Sequence, residues 1–461
     1  MNLPSDPFNA FDIAGFGVQL RHGAITAEAV TCAYLERIAM LDPQLGAFTH
    51  VAADRALEQA RGADRMLAAG TDLGPLMGVP VAVKDLFTVD GMPLPKCGSE
   101  VEIGDLIEAE GSFIRKLKRA GCVILGKTRM TEFAFGLVNV RHRTPWNPCD
   151  AKVHRMPGGS SSGSAVALAA GLCAFSIGSD TGGSVRQPAA LCGLFGHKTT
   201  FGLWPTDGVF PLSPTMDSIG PFTRFADDAA LVFGVLTGCP VPQPRRLNGL
   251  RLGRPVNHFF DGVADEVLAA TEHALRLLQD AGVEIVPIEV PEAAEIDTVF
   301  APMLSAELLA TLGAARFTQA KEMLDPIVWN RAEPALRYSA IEYIRLQRRQ
   351  RALCRIAEER MRGLDGWISP TTPDVALPLA DYATPEKAAA WIRRGTNDTR
   401  PANLFGQCAV SIPIPLSDAP LPVGLQIACG GGRDVDLLSM AMGIENLVGR
   451  PALPDMSQFL Q

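Results

Sequence analysis

Three polar side chains in glycine-rich or apolar surroundings carry the chemistry that this sequence offers. Lys84 ends the segment Gly78-Val79-Pro80-Val81-Ala82-Val83-Lys84-Asp85. Ser160 lies in Met156-Pro157-Gly158-Gly159-Ser160-Ser161-Ser162-Gly163-Ser164, and Ser184 in Asp180-Thr181-Gly182-Gly183-Ser184-Val185-Arg186. A serine hydroxyl is a weak nucleophile and needs a base. Lysine serves as that base only when burial lowers its pKa from about 10.4, by up to about 3–5 units in extreme cases. The apolar run before Lys84 is a setting for such burial. Asp85 would oppose the shift if it pointed the same way, but neighbours on a strand face opposite sides. Taken alone, Lys84 also reads as a surface lysine at a strand end.

The loop before Ser184 leaves a strand and enters a helix. The backbone N–H groups of Thr181, Gly182, Gly183 and Ser184 can converge there on one anionic oxygen, as a tetrahedral acyl-transfer intermediate requires. The same segment also reads as a turn with a capping serine. A phosphate loop fits poorly, because neither the dinucleotide nor the P-loop glycine pattern is present. Two rival nucleophile arrangements are weaker. His197 is a lone histidine in Gly193-Leu194-Phe195-Gly196-His197-Lys198 and reads as structural or exposed. Ser161 centres a G-x-S-x-G match, but Pro157 stands where the required strand would run.

The elements that must position these groups follow from hydrophobic period and turn residues. Val79 to Val83, Val123 to Gly126 and Cys173 to Gly178 read as strands. Ser112 to Ala120, Ser164 to Gly171 and Ser184 to Leu191 read as helices. The first 75 residues read as mainly helical, with Thr26 as an N-cap and Ala53 to Ala69 rich in helix formers. Later strands are expected at Leu250 to Val256, Val283 to Ile288, Trp367 to Ser369, Ala409 to Ile414 and Val423 to Ala428. A helix is expected at Asp265 to Ala281, and residues 301–363 read as mainly helical. The expected fold is therefore α/β: one large three-layer α/β/α domain over residues 1–461 with a central mixed sheet. Within it, 1–75 form a helical N-terminal segment, 76–235 the catalytic core and 300–365 a helical insertion near the substrate pocket. The Pro-rich stretch Cys239 to Arg246 reads as a connection inside this fold, not as a domain linker.

Composition is ordinary for a globular chain of 461 residues, with 47% apolar and 20% charged residues. The formal net charge is −8 and no basic block of six or more appears, the cluster Arg348-Arg349-Gln350-Arg351 reading as a solvated helix face, so no nucleic-acid partner is expected. The start, Met1 to Asp6, lacks a signal-peptide pattern, and the apolar stretch Ala165 to Ile177 is too short to span a membrane. The ten cysteines are scattered singly and the seven histidines show no ligand spacing. They read as reduced thiols in a cytoplasmic protein with no metal site.

Taken together, the Lys84, Ser160 and Ser184 segments resemble the amidase signature family. The likeness runs from Gly74 through Thr223 and continues at Ser369-Pro370-Thr371-Thr372-Pro373, Asn403-Leu404-Phe405-Gly406 and Leu421-Pro422-Val423-Gly424-Leu425-Gln426. The resemblance implies a Ser–cis-Ser–Lys triad and no cofactor. Ser184 would be the nucleophile. Ser160, after a cis Gly159–Ser160 peptide, would relay the proton, and neutral Lys84 would be the base. Thr181, Gly182, Gly183 and Ser184 would supply the oxyanion hole. Ser162 departs from a glycine common in the family's serine-rich loop.

Asp180 and Arg186 resemble supporting charges, read as an ion pair rather than a substrate contact. Phe135, Gly136 and Leu137 are pocket candidates, with Asn139 and Trp204 beside them. Arg141-His142-Arg143 reads as an exposed loop, although a carboxylate-bearing substrate would suit its charge. The implied activity is hydrolysis of a small amide by a homodimer through an acyl-serine. The alternatives are the glutaminase component of a glutamyl/aspartyl-tRNA amidotransferase and a hydrolase of urea-type amides such as biuret or allophanate. A catalytically dead scaffold is disfavoured because all three triad residues are present.

Overall fold

Short apolar runs assemble into one sheet in this computed structural model, which describes residues 3–9, 11–415 and 421–460. Met1 and Asn2, which begin the segment expected to lack a signal peptide, lie outside the described residues. The strands are β1 (Phe48–Val51), β2 (Pro80–Lys84), β3 (Val123–Thr128), β4 (Phe175–Asp180), β5 (Phe195–Lys198) and β6 (Ser218–Thr223). They continue as β7 (Arg251–Pro255), β8 (Glu284–Ile288), β9 (Gly366–Pro370), β10 (Cys408–Ile414) and β11 (Val423–Cys429). Their order across the sheet is β1-β3-β2-β4-β6-β5-β10-β11-β9-β7-β8. The sheet is mixed. β2 runs parallel to β3 and β4, and β7 runs parallel to β8 and β9, while the remaining pairs are antiparallel.

Strands drawn from both ends of the chain share this sheet, so the helices that flank it cover one continuous core. Every residue of β2, β3, β4, β6, β9, β10 and β11 is buried, as expected for strands covered on both faces. The Pro-rich stretch Cys239 to Arg246 connects the helix Ala226–Thr237 to β7 within that sheet. After residue 300 the chain forms helices Phe300–Leu312, Ala314–Gln319, Pro326–Ala332 and Ala340–Arg360. Among the described residues no helix is long and apolar enough to cross a membrane.

Three strands escape the sequence reading. The first 75 residues are not purely helical, because β1 pairs antiparallel with β3 at the sheet edge. It is only four residues long and shows no clear alternation. β5 and β6 carry Gly196, Gly220 and Pro221, residues of low strand propensity that tertiary pairing overrides. Boundaries also move by one or two residues. β4 extends to Asp180, and the helix after Ser184 begins at Arg186. These shifts matter because parallel β2 and β4 lie side by side, with Val83 opposite Ile177. Lys84 and the Ser184 loop therefore leave the sheet at neighbouring carboxyl ends, where open α/β sheets place ligand sites.

Candidate active site

Lys84 is fully buried at the end of β2. Its Nζ donates to Ser160 Oγ at 2.7 Å and to Ser179 Oγ at 2.9 Å. Among the described residues it forms no ion pair, because Asp85 turns away to Lys127 Nζ at 2.7 Å. Burial is the largest influence on its pKa and lowers it from 10.5 to about 7, against the opposing charges of Asp217 and Asp180. Both acids are occupied elsewhere. Asp217 accepts from Thr181 Oγ1 at 2.6 Å and from the Leu212 and Ser213 N–H groups, and burial pushes its carboxyl up to about 6. Asp180 is claimed by Arg186.

The Gly159–Ser160 peptide is cis. Gly159 N–H donates to Gln187 Oε1 at 2.9 Å, and Ser160 C=O accepts from Thr131 N–H at 3.1 Å. Gln187 belongs to the helix Arg186–Cys192, so this bond ties the Ser160 loop to the segment carrying Ser184. Ser161 has a structural place instead. Its Oγ donates to the Ser179 carbonyl at 3.3 Å, and no strand directly precedes it.

Ser184 sits just past β4 and is 7% exposed. Two glycines shape the turn before it. Gly183 has φ +117°, and a Cβ there would lie 2.1 Å from Thr399 Oγ1. A Cβ on Gly182 would lie 2.7 Å from Phe300 Cζ. The four expected oxyanion donors do not behave alike. Gly183 N–H is already engaged by Asp180 Oδ1 at 2.8 Å. Among the described residues, the N–H groups of Thr181, Gly182 and Ser184 donate to no protein acceptor.

Asp180 and Arg186 form a buried ion pair that braces this turn. Arg186 Nε and Nη2 reach the two Asp180 oxygens at 3.0 and 2.9 Å. Nη1 donates to the Thr399 carbonyl and to Gln426 Oε1, and Nη2 also donates to Asn403 Oδ1. Burial alone would raise the Asp180 carboxyl, but the Arg186 charge and hydrogen bonds outweigh it and hold the group below its ordinary value. His197 stands apart in β5, fully buried, with Nε2 3.2 Å from Asp434 Oδ1.

A family model described as Amidase matches residues 29–438. The chain belongs to the amidase family. It is an amidase-signature hydrolase that acts on amide C–N bonds. The chain is 37% identical over 450 residues to the 2-amino-5-chloromuconic acid deaminase of Comamonas testosteroni, covering 95% of this chain and 96% of that protein. It is 36% identical over 451 residues to a glutamyl-tRNA(Gln) amidotransferase subunit from Acidothermus cellulolyticus, covering 87% of each. Its fold is similar to the peptide amidase of Stenotrophomonas maltophilia, with a TM-score of 0.84, 28% identity and coverage of 98% and 99% of the two chains.

The cavity beside Ser184 gathers residues from several of these elements. Ser184, Thr181 and Gly182 line a narrow cavity together with Phe135, Gly136 and Leu137. Asn139 and Trp204 do not line it. Asn139 Oδ1 accepts from the Glu132 N–H at 3.0 Å, and Trp204 packs between Phe113 and Phe233. Arg141 and Arg143 lie on an exposed loop and donate to the backbone carbonyls of Glu322, Pro43 and Gln44. The sequence reading missed the basic groups that do reach the cavity, Arg331 and Arg400. One signal was available: Arg331 falls in the helical region expected near the pocket.

Proposed function

We propose that this amidase hydrolyses a small carboxamide through an acyl enzyme on Ser184, with Ser160 as proton relay and Lys84 as base. The observation that carries this reading is a buried lysine amine, lowered to about 7, lying 2.7 Å from a serine oxygen. Near neutral pH a large fraction of Lys84 is then uncharged, so its nitrogen can accept the Ser160 proton. Ser160 in turn takes the proton of Ser184 as the latter attacks the amide carbon. The free N–H groups of Thr181, Gly182 and Ser184 supply donors for the oxyanion. The proton held at Lys84 returns through Ser160 to the departing nitrogen, and the C–N bond breaks. Water then attacks the ester carbon and passes its proton through Ser160 to Lys84; the ester C–O bond breaks, the acid leaves and the proton returns to Ser184 Oγ.

Ammonia or an amine leaves freely in this reading, and the enzyme works as a homodimer in the cytoplasm. The ten cysteines are all free, which supports a reducing compartment. Ile341 and Ile344, 65% and 46% exposed one turn apart, offer apolar surface for self-association. The amidotransferase relatives favour a second reading, in which ammonia passes to a partner. The Comamonas testosteroni relative favours ammonia release from an amino-substituted acid.

The test is an ammonia-release screen of the purified protein over aliphatic, aryl, dicarboxylic and urea-type amides and over amino-substituted unsaturated acids. Ser184→Ala serves as the blank. Robust turnover of a simple amide by the isolated chain is expected. Turnover confined to glutamine and dependent on added partner proteins would replace this reading with the second.

A further inference from the structure

We propose that Arg331 and Arg400 form a carboxylate-binding subsite, so that the amide cleaved at Ser184 carries a carboxylate at its far end. The substrate class is then the monoamide of a short dicarboxylic acid. This deepens the hydrolase reading and rests on it.

The two arginines share the cavity with Ser184, among Leu137, Leu212, Leu304 and Ile392. Among the described residues neither forms an ion pair. The contrast with Arg186 is direct, since that buried guanidinium is matched by Asp180 at 2.9 Å. Each pocket arginine spends one nitrogen on a backbone carbonyl. Arg331 Nη1 donates to Phe135 at 2.6 Å and Arg400 Nη2 to Ile392 at 3.3 Å. Their other guanidinium nitrogens have no protein acceptor among the described residues, yet they are not sealed from accessible space.

Aromatic faces hold both heads in place. Arg331 lies over Phe135 at 4.0 Å and Arg400 over Phe300 at 5.6 Å. Asp297 is the one acid acting appreciably on Arg400, and it is shared with Arg393 at 4.0 Å. Burial is the main influence lowering Arg331 to about 9, and the charge of Arg400 adds to it. Two unmatched cations in an apolar cavity are unfavourable unless an anion joins them. Guanidinium forks suit a carboxylate, which accepts several charge-assisted hydrogen bonds at once.

The test compares amides that differ only at the far end: succinamate with butyramide, and glutaramate with pentanamide. Wild-type kcat/KM should favour the anionic member of each pair by about 10–100-fold, the worth of charge-assisted hydrogen bonds. Arg331→Gln and Arg400→Gln should each collapse that ratio. Succinate or glutarate should also protect wild-type Ser184 from a phosphonofluoridate probe, whereas butyramide at equal concentration should protect far less. This second measurement needs no variant to fold. Equal kcat/KM within each pair and no protection, with Ser184 still labelled and neutral amides cleaved, overturns the subsite and leaves the hydrolase reading standing. No cleavage of any amide and no labelling overturns the hydrolase reading and the subsite with it.

Discussion

Lys84 Nζ lies 2.7 Å from Ser160 Oγ, and among the described residues no carboxylate forms an ion pair with the amine. The pH dependence follows from that pairing. Lys84 is depressed to about 7, chiefly by burial, and works as a base only when neutral. The neutral fraction falls about tenfold per pH unit below the pKa, so log kcat/KM should drop with unit slope as pH falls under about 7. A rate that stays flat down to pH 5 would rule out a lysine base. Lys84→Arg should be inactive across the range, because a guanidinium does not deprotonate in proteins.

Ser179 is predicted to position that base. Its Oγ accepts the second Nζ hydrogen bond at 2.9 Å, which fixes where the lysine lone pair points. Ser179→Ala should lower kcat by about tenfold, equivalent to ~1.4 kcal/mol, with KM little changed. Ser179→Thr, which keeps the hydroxyl, should recover part of the loss in steady-state assays.

Gly183→Ala should cost activity through backbone geometry. The residue has φ +117°, and its new Cβ would sit 2.1 Å from Thr399 Oγ1. The turn must then move, taking the neighbouring Gly182 and Ser184 N–H groups with it. A kcat loss of at least about 100-fold is expected, on the scale of losing an oxyanion donor. Activity within twofold of wild type would show that the turn does not shape the site.

Arg186→Met should act on stability before chemistry. It strands the Asp180 carboxylate inside the protein and leaves Asn403 and Gln426 without their donor. Removing one partner of a buried pair typically costs about 3–5 kcal/mol. Chemical denaturation should show that loss, and an unfolding midpoint equal to wild type would contradict it.

What could be read from sequence follows from how local each signal is. Val79 to Val83 announced β2 because its apolar run and its glycine border are contiguous, and Lys84 came with it. The Ser184 turn was legible because glycines mark tight backbone. The family resemblance supplied the relay role of Ser160, which spacing alone did not. Arg331 carried no signal beyond its place in the helical region and Arg400 carried none, since residues 69 positions apart share a cavity only once the chain has folded. The engagement of Gly183 N–H by Asp180 was equally hidden, because it depends on β4 running two residues further than its hydrophobic run. β5 and β6 were lost for the opposite reason: their glycines and proline spoke against strands that long-range pairing nevertheless forms.

Ser184, and not Ser160, is the residue expected to become acylated. Peptide mass spectrometry of wild-type protein treated with a phosphonofluoridate probe tests it most directly. One adduct on the peptide carrying Ser184 is expected, absent in Ser184→Ala and slowed in Lys84→Met. An adduct on Ser160, or labelling that persists in Ser184→Ala, would contradict the assignment.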